Sequence, residues 1–379
     1  MVETKPIRIL HILTLSGEHG EYGGPNRVAS ELCRELRNQG HSSQIVSGIK
    51  LTSESTRGDY SGQSFIPVKP LSKRYPVSSL WSRKFVKNVY PLIKESDIVH
   101  IHFARDLIPM VAALICIIQK RPFVTQTHGM VIPDGRKLTK VLDKFLTRPL
   151  LNQSKINFVL TNQEFNLMKS LNLRCRMELL SNGIEVSNHA PTRNSESRFK
   201  VIFCSRLHAR KRPDRFIQLA LEAERVGIKA DFDIYGPDGG ELSSILKSIS
   251  ESNLPNLTYR GALPPESVQE WISEYDLLVL PSENEPFPMV ALESLSMGTP
   301  ILIMPSCGIA GLIRETHSEL VSRSEDLQGL KDAFLNLYAQ GVSSSYRKIL
   351  QEFCRSQFSI GSVTLKITKY YESILNSEI

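Results

Sequence analysis

At 379 residues, with 41% hydrophobic and 22% charged side chains, the chain is long enough for two ordinary α/β cores and too apolar to be disordered. Its six cysteines, at 33, 116, 175, 204, 307 and 354, include no CxxC pair, which argues against a disulfide framework or a zinc site. The net charge of +7 conceals an asymmetry: residues 1–190 carry 26 Lys and Arg against 15 Asp and Glu, whereas residues 191–379 carry 20 against 24. A basic half attracts polyanions such as an anionic membrane or a phosphorylated lipid. No helix-turn-helix, zinc-finger or RNA-binding signature accompanies it, so nucleic acid is not an expected partner.

The first apolar run, in MVETKPIRILHIL, lacks the long apolar core and cleavage site of a signal peptide, and with the cysteine usage this predicts a cytoplasmic protein. Short β-branched runs at 7–13, 44–47, 98–102, 123–127 and 157–160 read as buried strands, each followed by a helical pattern. The apolar run 107–118 is too short to span a bilayer and reads as a buried helix. The alternation restarts at 200–205, 231–235, 257–261, 277–281 and 301–304, which predicts two doubly wound parallel sheets in series. The polar, aperiodic stretch 186–197 reads as the linker between them. Ligands in such sheets bind at the carboxyl ends of strands, so the informative residues should follow strands, in two domains facing each other across a cleft.

Gly23-Gly24-Pro25-Asn26-Arg27 follows the first strand and opens a helix, where glycines let a backbone approach phosphate or sugar; a structural turn fits equally well. The segment does not meet the GxGxxG spacing of a dinucleotide site. Thr127-His128-Gly129 ends another strand, with His128 either a site residue or a satisfied core histidine. His100 and His102 share a strand face, but no third ligand is placed with them by the sequence, so no metal is expected. In the second half, Arg206 at a strand end and Lys211 five residues on suit a diphosphate, a forked donor plus a mobile point charge. Glu285 lies in the loop of 283–295, and Met289, Val290 and Glu293 begin the helix after it, where backbone N–H groups meet phosphate and a carboxylate takes a ribose diol.

Taken in order, GGPNR, IVHIH, THG, SNGIE at 181–185, SRLHARKRP and EPFPMVALES resemble the family-4 retaining glycosyltransferases of the GT-B fold over nearly the whole chain. The resemblance implies an N-terminal Rossmann-like acceptor domain at 1–187, a C-terminal Rossmann-like donor domain at 188–360, and a terminal helix, 361–379, that crosses back to the first. It implies transfer of a hexose, with retention, from a nucleotide-diphosphate sugar (UDP or GDP) to a glycan or lipid-linked acceptor in bacterial surface polysaccharide or glycolipid assembly, without metal or cofactor. Carried over by position, Gly23 and Gly24 contact donor phosphate or the acceptor, Asn26 and Arg27 the acceptor, and His128 lies beside the transferring sugar. Arg206 and Lys211 hold the diphosphate, Glu285 the sugar hydroxyls, Phe287, Pro288, Met289 and Val290 the sugar and phosphate through backbone, and Glu293 the ribose. Gly236 and Arg260 flank the base. Pro288 stands where a glycine is common in the family. Two alternatives share the fold, a nucleotide-sugar 2-epimerase and a non-catalytic nucleotide-sugar-binding subunit.

Two basic amphipathic segments add a further expectation, contact with the inner face of the cell membrane. Residues 136–149 set Leu138, Val141, Leu142 and Phe145 among Lys137, Lys140, Lys144 and Arg148, and residues 80–94 set Trp81, Phe85 and Val89 among Arg83, Lys84 and Lys87. The ordinary alternative is that both apolar faces pack on the sheet.

Overall fold

The structure is a computed structural model that describes residues 6–16, 23–50, 63–75, 77–133, 135–187, 198–264 and 267–377. The greater part of the expected linker, residues 188–197, lies outside the described residues. By compactness the chain forms two units, Met1–Gly183 with Ile360–Ile379, and Ile184–Ser359.

In the first unit the described strands are β1 (Arg8–Leu13), β2 (Ser42–Lys50), β3 (Gln63–Pro70), β4 (Leu80–Trp81), β5 (Ile98–His102), β6 (Phe123–Gln126), β7 (Asn157–Val159) and β8 (Met177–Leu179). They form one sheet in the order β4-β3-β2-β1-β5-β6-β7-β8, parallel except for β4. Chain order reverses between β1 and β5, so the switch point lies where Leu13 and His102 end their strands. β1, β5 and β6 are buried on both faces, which is why they read as near-continuous apolar runs.

Three strands at or next to the sheet margins carry no signal in the sequence reading. β3 carries Pro67 and ends in Pro70, β4 is two residues long, and β8 is three, so none shows the apolar run that marks a buried strand. Trp81, expected on an amphipathic helix, belongs to β4; the helix begins later, at Arg83–Glu95, and buries Phe85, Val89 and Ile93. That segment is therefore an ordinary packed helix. The run 107–118 is the buried helix Leu107–Ile118.

The helix Ile360–Asn376 packs in the first unit with Tyr371 fully buried. Gly183 is required there by close approach: a Cβ on it would come within 2.8 Å of the Ile360 backbone. Lys366 Nζ donates to the Leu179 carbonyl at 2.7 Å and the Tyr370 hydroxyl to Glu178 at 2.8 Å, which ties the helix to β8.

The second unit holds β9 (Phe199–Cys204), β10 (Ala230–Tyr235), β11 (Leu257–Gly261), β12 (Leu277–Leu280) and β13 (Ile301–Ile303), all parallel in the order β11-β10-β9-β12-β13. Its switch point lies between β9 and β12, so the loops after Cys204 and Leu280 leave the sheet side by side. Helices Pro213–Arg225, Met289–Ser296, Leu327–Gln340 and Ser344–Phe358 bury their apolar faces, with Phe203, Phe216, Phe232 and Phe334 forming an aromatic chain through the core.

Candidate functional site

At the switch point of the second unit, the segment after β9 supplies Arg206 and Lys211 and the segment after β12 supplies Glu285. Lys211 closes a 3-10 turn, Ala209–Lys211, which the His208 ring caps by accepting the Arg210 N–H at 3.2 Å. Its ammonium lies 2.5 Å from Glu285 Oε2, and both side chains are largely buried. Glu285 is held in turn by its own carbonyl, which accepts the Gly308 N–H at 2.8 Å. Beside the pair, burial pushes the Cys307 thiol up to about 12, and the Glu285 carboxylate adds to that rise while Lys211 opposes it.

The next residue of the basic run has a different duty. Arg212 sits in the left-handed region, φ 53°, and its guanidinium binds Asp214 and Glu283; Arg215 also binds Glu283, at 2.9 Å. This clamp turns the chain into the Pro213–Arg225 helix and fixes the turn on which Lys211 stands. An open depression lined by Ala209, Arg210, Arg212, Asp214, Glu241 and Glu283 adjoins it. Arg206 is exposed, and its stem runs over Gly239, where a Cβ would come within 2.8 Å of Arg206 Cγ.

Gly236 is obligatory for the fold itself: at φ 152° a Cβ would stand 1.8 Å from the Ser205 carbonyl oxygen. Asp238 then accepts the N–H groups of Gly240 (2.7 Å) and Leu242 (3.2 Å), which hold its carboxyl below the usual range. Arg260, expected near the base, pairs through Nε with Asp233 at 2.8 Å, a carboxylate that also accepts the Tyr275 hydroxyl. Phe287 is buried against Phe358, and Pro288 precedes the helix Met289–Ser296, on which Met289 and Val290 are half-buried and Glu293 is buried.

In the first unit the exit of β1 leads to the helix Gly23–Asn38. A Cβ on Gly24 would meet no described atom within 4 Å, so the packing of the described residues does not itself demand glycine there. Asn26, expected to reach an acceptor, uses its amide within the chain: Nδ2 donates to the Leu15 carbonyl and Oδ1 accepts from Ser16, both at 3.1 Å. Arg27 is half-buried on the same helix.

His128 follows β6 in a turn with φ 50° at His128, φ 72° at Gly129 and a Met130 N–H to Thr127 carbonyl bond of 2.8 Å. A buried carboxylate that sequence reading missed holds this turn. Glu164 Oε1 accepts the Thr127 hydroxyl and the Gly129 N–H, each at 2.6 Å, and Oε2 accepts the Leu160 N–H at 2.7 Å. The signal was present: Thr161 to Glu164 has the spacing of a helix capping box, and the Thr161 hydroxyl does accept the Glu164 N–H.

The expectation that no third ligand joins His100 and His102 is corrected. His11, from β1, lies with them, and one ring nitrogen from each falls within 4.8 Å of the others. Register explains it, because β1 and β5 are neighbours with His11 opposite His100, a pairing that strand periodicity alone does not reveal. The rings stack: His100 and His102 are 3° from parallel at 4.7 Å, and His11 lies 5.0 Å from His100. The parallel rings of His100 and His102 point their in-plane lone pairs side by side, whereas tetrahedral metal binding needs lone pairs that converge. Burial holds all four histidines of the neighbourhood far down, His11 and His128 to about 3.

With this geometry in hand, comparison with known proteins decides the family. The model for glycosyltransferase family 4 matches residues 22–188, and that for glycosyl transferases group 1 matches residues 187–353. The chain belongs to the family-4 glycosyltransferases. This family-4 chain is 30% identical over 189 residues to the O-antigen biosynthesis glycosyltransferase WbnH of Escherichia coli, covering 47% of itself and 52% of that protein. It is 36% identical over 112 residues to the alpha-galactosylglucosyldiacylglycerol synthase of Streptococcus pneumoniae, 29% of each chain. It thus spans about half the length, or less, of these curated relatives. Among solved structures, Anabaena HepE in complex with UDP and glucose aligns over 97% of this chain and all of that one at TM-score 0.74 and 15% identity. The pneumococcal O-GlcNAc transferase GtfA, in complex with UDP and GlcNAc, aligns over 98% and 100% at TM-score 0.72 and 12% identity. These likenesses establish the GT-B fold for the family-4 chain.

Proposed function

We propose that this chain transfers a hexose, with retention, from a UDP- or GDP-sugar to a glycan or lipid-linked acceptor in assembly of a surface polysaccharide or glycolipid. The observation that carries the reading is the Lys211–Glu285 pair at the switch point of the second unit. A carboxylate suited to sugar hydroxyls there holds a cation suited to the departing diphosphate, and an ammonium has three donors, so Lys211 can serve both. The second unit is the donor domain on this reading, and the first, with residues 360–379, the acceptor domain. Glu293 takes the ribose, Arg206 the diphosphate, and residues 287–290 the sugar and phosphate. Gly24, which the packing of the described residues does not require, takes a ligand at the start of its helix on this reading. Two named relatives, one of O-antigen assembly and one of a glycolipid, support the product class.

A ligand that binds only the folded state raises the melting temperature, by an amount equivalent to about 2.7 kcal/mol at a hundredfold excess over Kd. Thermal melting with UDP, GDP, ADP and their sugars is expected to show a clear rise with the uridine or the guanosine series. A folded protein that responds to none of them would overturn the donor assignment.

A second part of the reading concerns the membrane. Residues 137–147 form an inside-out helix, Lys137–Leu142 continuing as Asp143–Thr147: Thr139, Asp143 and Thr147 are buried, whereas Leu138, Val141 and Phe145 are 60, 54 and 66% exposed. Its polar side is anchored by Arg105, which binds Asp143 through two N–H···O bonds of 2.8 and 2.9 Å. Lys137, Lys140 and Lys144 flank the exposed apolar face. An apolar face edged with cations suits an anionic lipid surface. No helix of the described residues is long and apolar enough to cross a membrane. The protein should co-sediment with phosphatidylglycerol-containing vesicles at low salt, and V141E/F145E should not. Equal recovery of both proteins in the supernatant would remove the membrane from the reading.

A further inference from the structure

His128 is the end of a buried chain of imidazoles. Its Nε2 lies 2.7 Å from His102 Nδ1, and His102 Nε2 lies 3.2 Å from His11 Nδ1. The rings of His102 and His128 are 10° from parallel with centroids 5.0 Å apart, so with the two nitrogens at 2.7 Å they meet edge to edge in nearly one plane, as an N–H···N bond requires. His11, His100 and His102 are all at most 1% exposed. Each ring is neutral in this setting and carries one N–H and one bare nitrogen.

Three neutral rings in series admit only two proton arrangements. In one, every ring donates toward His128; in the other, every ring donates toward His11. The two differ at the buried end, because His11 Nε2 has no hydrogen-bond partner among the described residues. Donation toward His11 would leave an orphaned N–H in the core, whereas donation toward His128 leaves only a bare acceptor there. Among backbone groups of folded proteins an orphaned buried N–H is rarer than an under-satisfied acceptor, and we carry the same preference over to the ring nitrogens. The chain therefore runs from His11 Nδ1–H to His102 Nε2, and from His102 Nδ1–H to His128 Nε2. With Nε2 accepting, the proton of His128 sits on Nδ1.

We infer that His102 is a positioning residue that locks His128 in the Nδ1–H tautomer, so that His128 meets its substrate as a hydrogen-bond donor and not as a base. The inference rests on the reading that places His128 beside the transferring sugar. It agrees with a reaction in which the acceptor proton goes to a donor phosphate oxygen, because a ring fixed as a donor has no lone pair left to take it. Glu164 completes the arrangement from the other side by holding the backbone of Thr127 and Gly129.

The test uses two amide substitutions that mimic different ring nitrogens. Asparagine at 102 can replace Nδ1 and keep the bond to His128, whereas glutamine reaches the Nε2 position and keeps only the bond toward His11. H102N is expected to hold kcat within about threefold of the native enzyme, and H102Q to lose about tenfold with donor KM within about twofold, one hydrogen bond's worth of positioning. Nitrogen-15 NMR of histidine-labelled protein should show His128 as a single Nδ1–H tautomer in the native chain and in H102N, and a mixture in H102Q. An Nε2–H or evenly mixed His128 in the native protein would overturn the inference, as would equal losses in H102N and H102Q. If His128→Ala leaves kcat intact, the placement of His128 at the sugar fails, and the NMR result still decides whether His102 sets its tautomer.

Discussion

Lys211→Ala is expected to weaken nucleotide-sugar affinity about tenfold and to lower turnover a further ~10²–10³-fold, the usual consequence of removing one preorganised group from a developing charge. The ammonium is fixed before any ligand arrives, by Glu285 at 2.5 Å and by a turn that His208 caps and Arg212 clamps. A cation so held needs no rearrangement as the diphosphate departs, which is why its loss should fall on turnover more than on binding. Lys211→Arg should not restore the rate, since a planar fork demands a different position from a compact point charge. Titration calorimetry with the responding nucleotide separates the two effects, and donor hydrolysis measures turnover without a known acceptor. Turnover within about twofold of the native rate would remove Lys211 from the leaving group.

The largest effect on stability is expected at a residue remote from that chemistry. Arg347 is 2% exposed, donates to the Thr299 hydroxyl at 3.0 Å and the Tyr275 carbonyl at 2.6 Å, and stands 3.5 Å from Asp276. It joins the helix Ser344–Phe358 to the entrances of β12 and β13. Arg347→Ala removes the counter-charge beside the buried Asp276, whose Oδ2 still accepts the Lys200 N–H at 2.8 Å, and takes a donor from two further acceptors; breaking such a group by removing one partner costs about 3–5 kcal/mol. For a unit of this size that corresponds to roughly 10 °C in Tm. Arg347→Met, which keeps the bulk and discards the fork, should fall nearly as far, because the cost lies in the lost counter-charge and donors. Calorimetric melting decides it, and an unchanged Tm in both variants would mean that water replaces the guanidinium.

How much of this was legible in the sequence depends on the range of the interaction. The central strands were readable because burial on both faces writes a continuous apolar run, whereas β3, β4 and β8, at or near the margins, carry prolines or only two or three residues. Lys211 and Glu285 were readable as residues that follow strands; that they touch was not, since 74 residues separate them. His11 joined His100 and His102 through strand order alone. The two basic amphipathic segments show the limit most sharply. They look alike in sequence, yet one buries Phe85 and Val89 and the other exposes Val141 and Phe145. Which face turns inward was settled by a partner far along the chain, the Arg105 guanidinium that captures Asp143.

The split composition of the first unit bears on how the molecule is made. Its core takes in the helix Ile360–Asn376, which follows the whole of the second unit in the chain. The hydroxyl that meets His100 at 2.7 Å belongs to Tyr371, and the backbone that fits against Gly183 belongs to Ile360. During synthesis the second unit, one continuous stretch, is translated in full before the last helix of the first. The half whose translation starts first is thus the half whose chain is completed last, and until then its histidine cluster waits for a partner not yet translated.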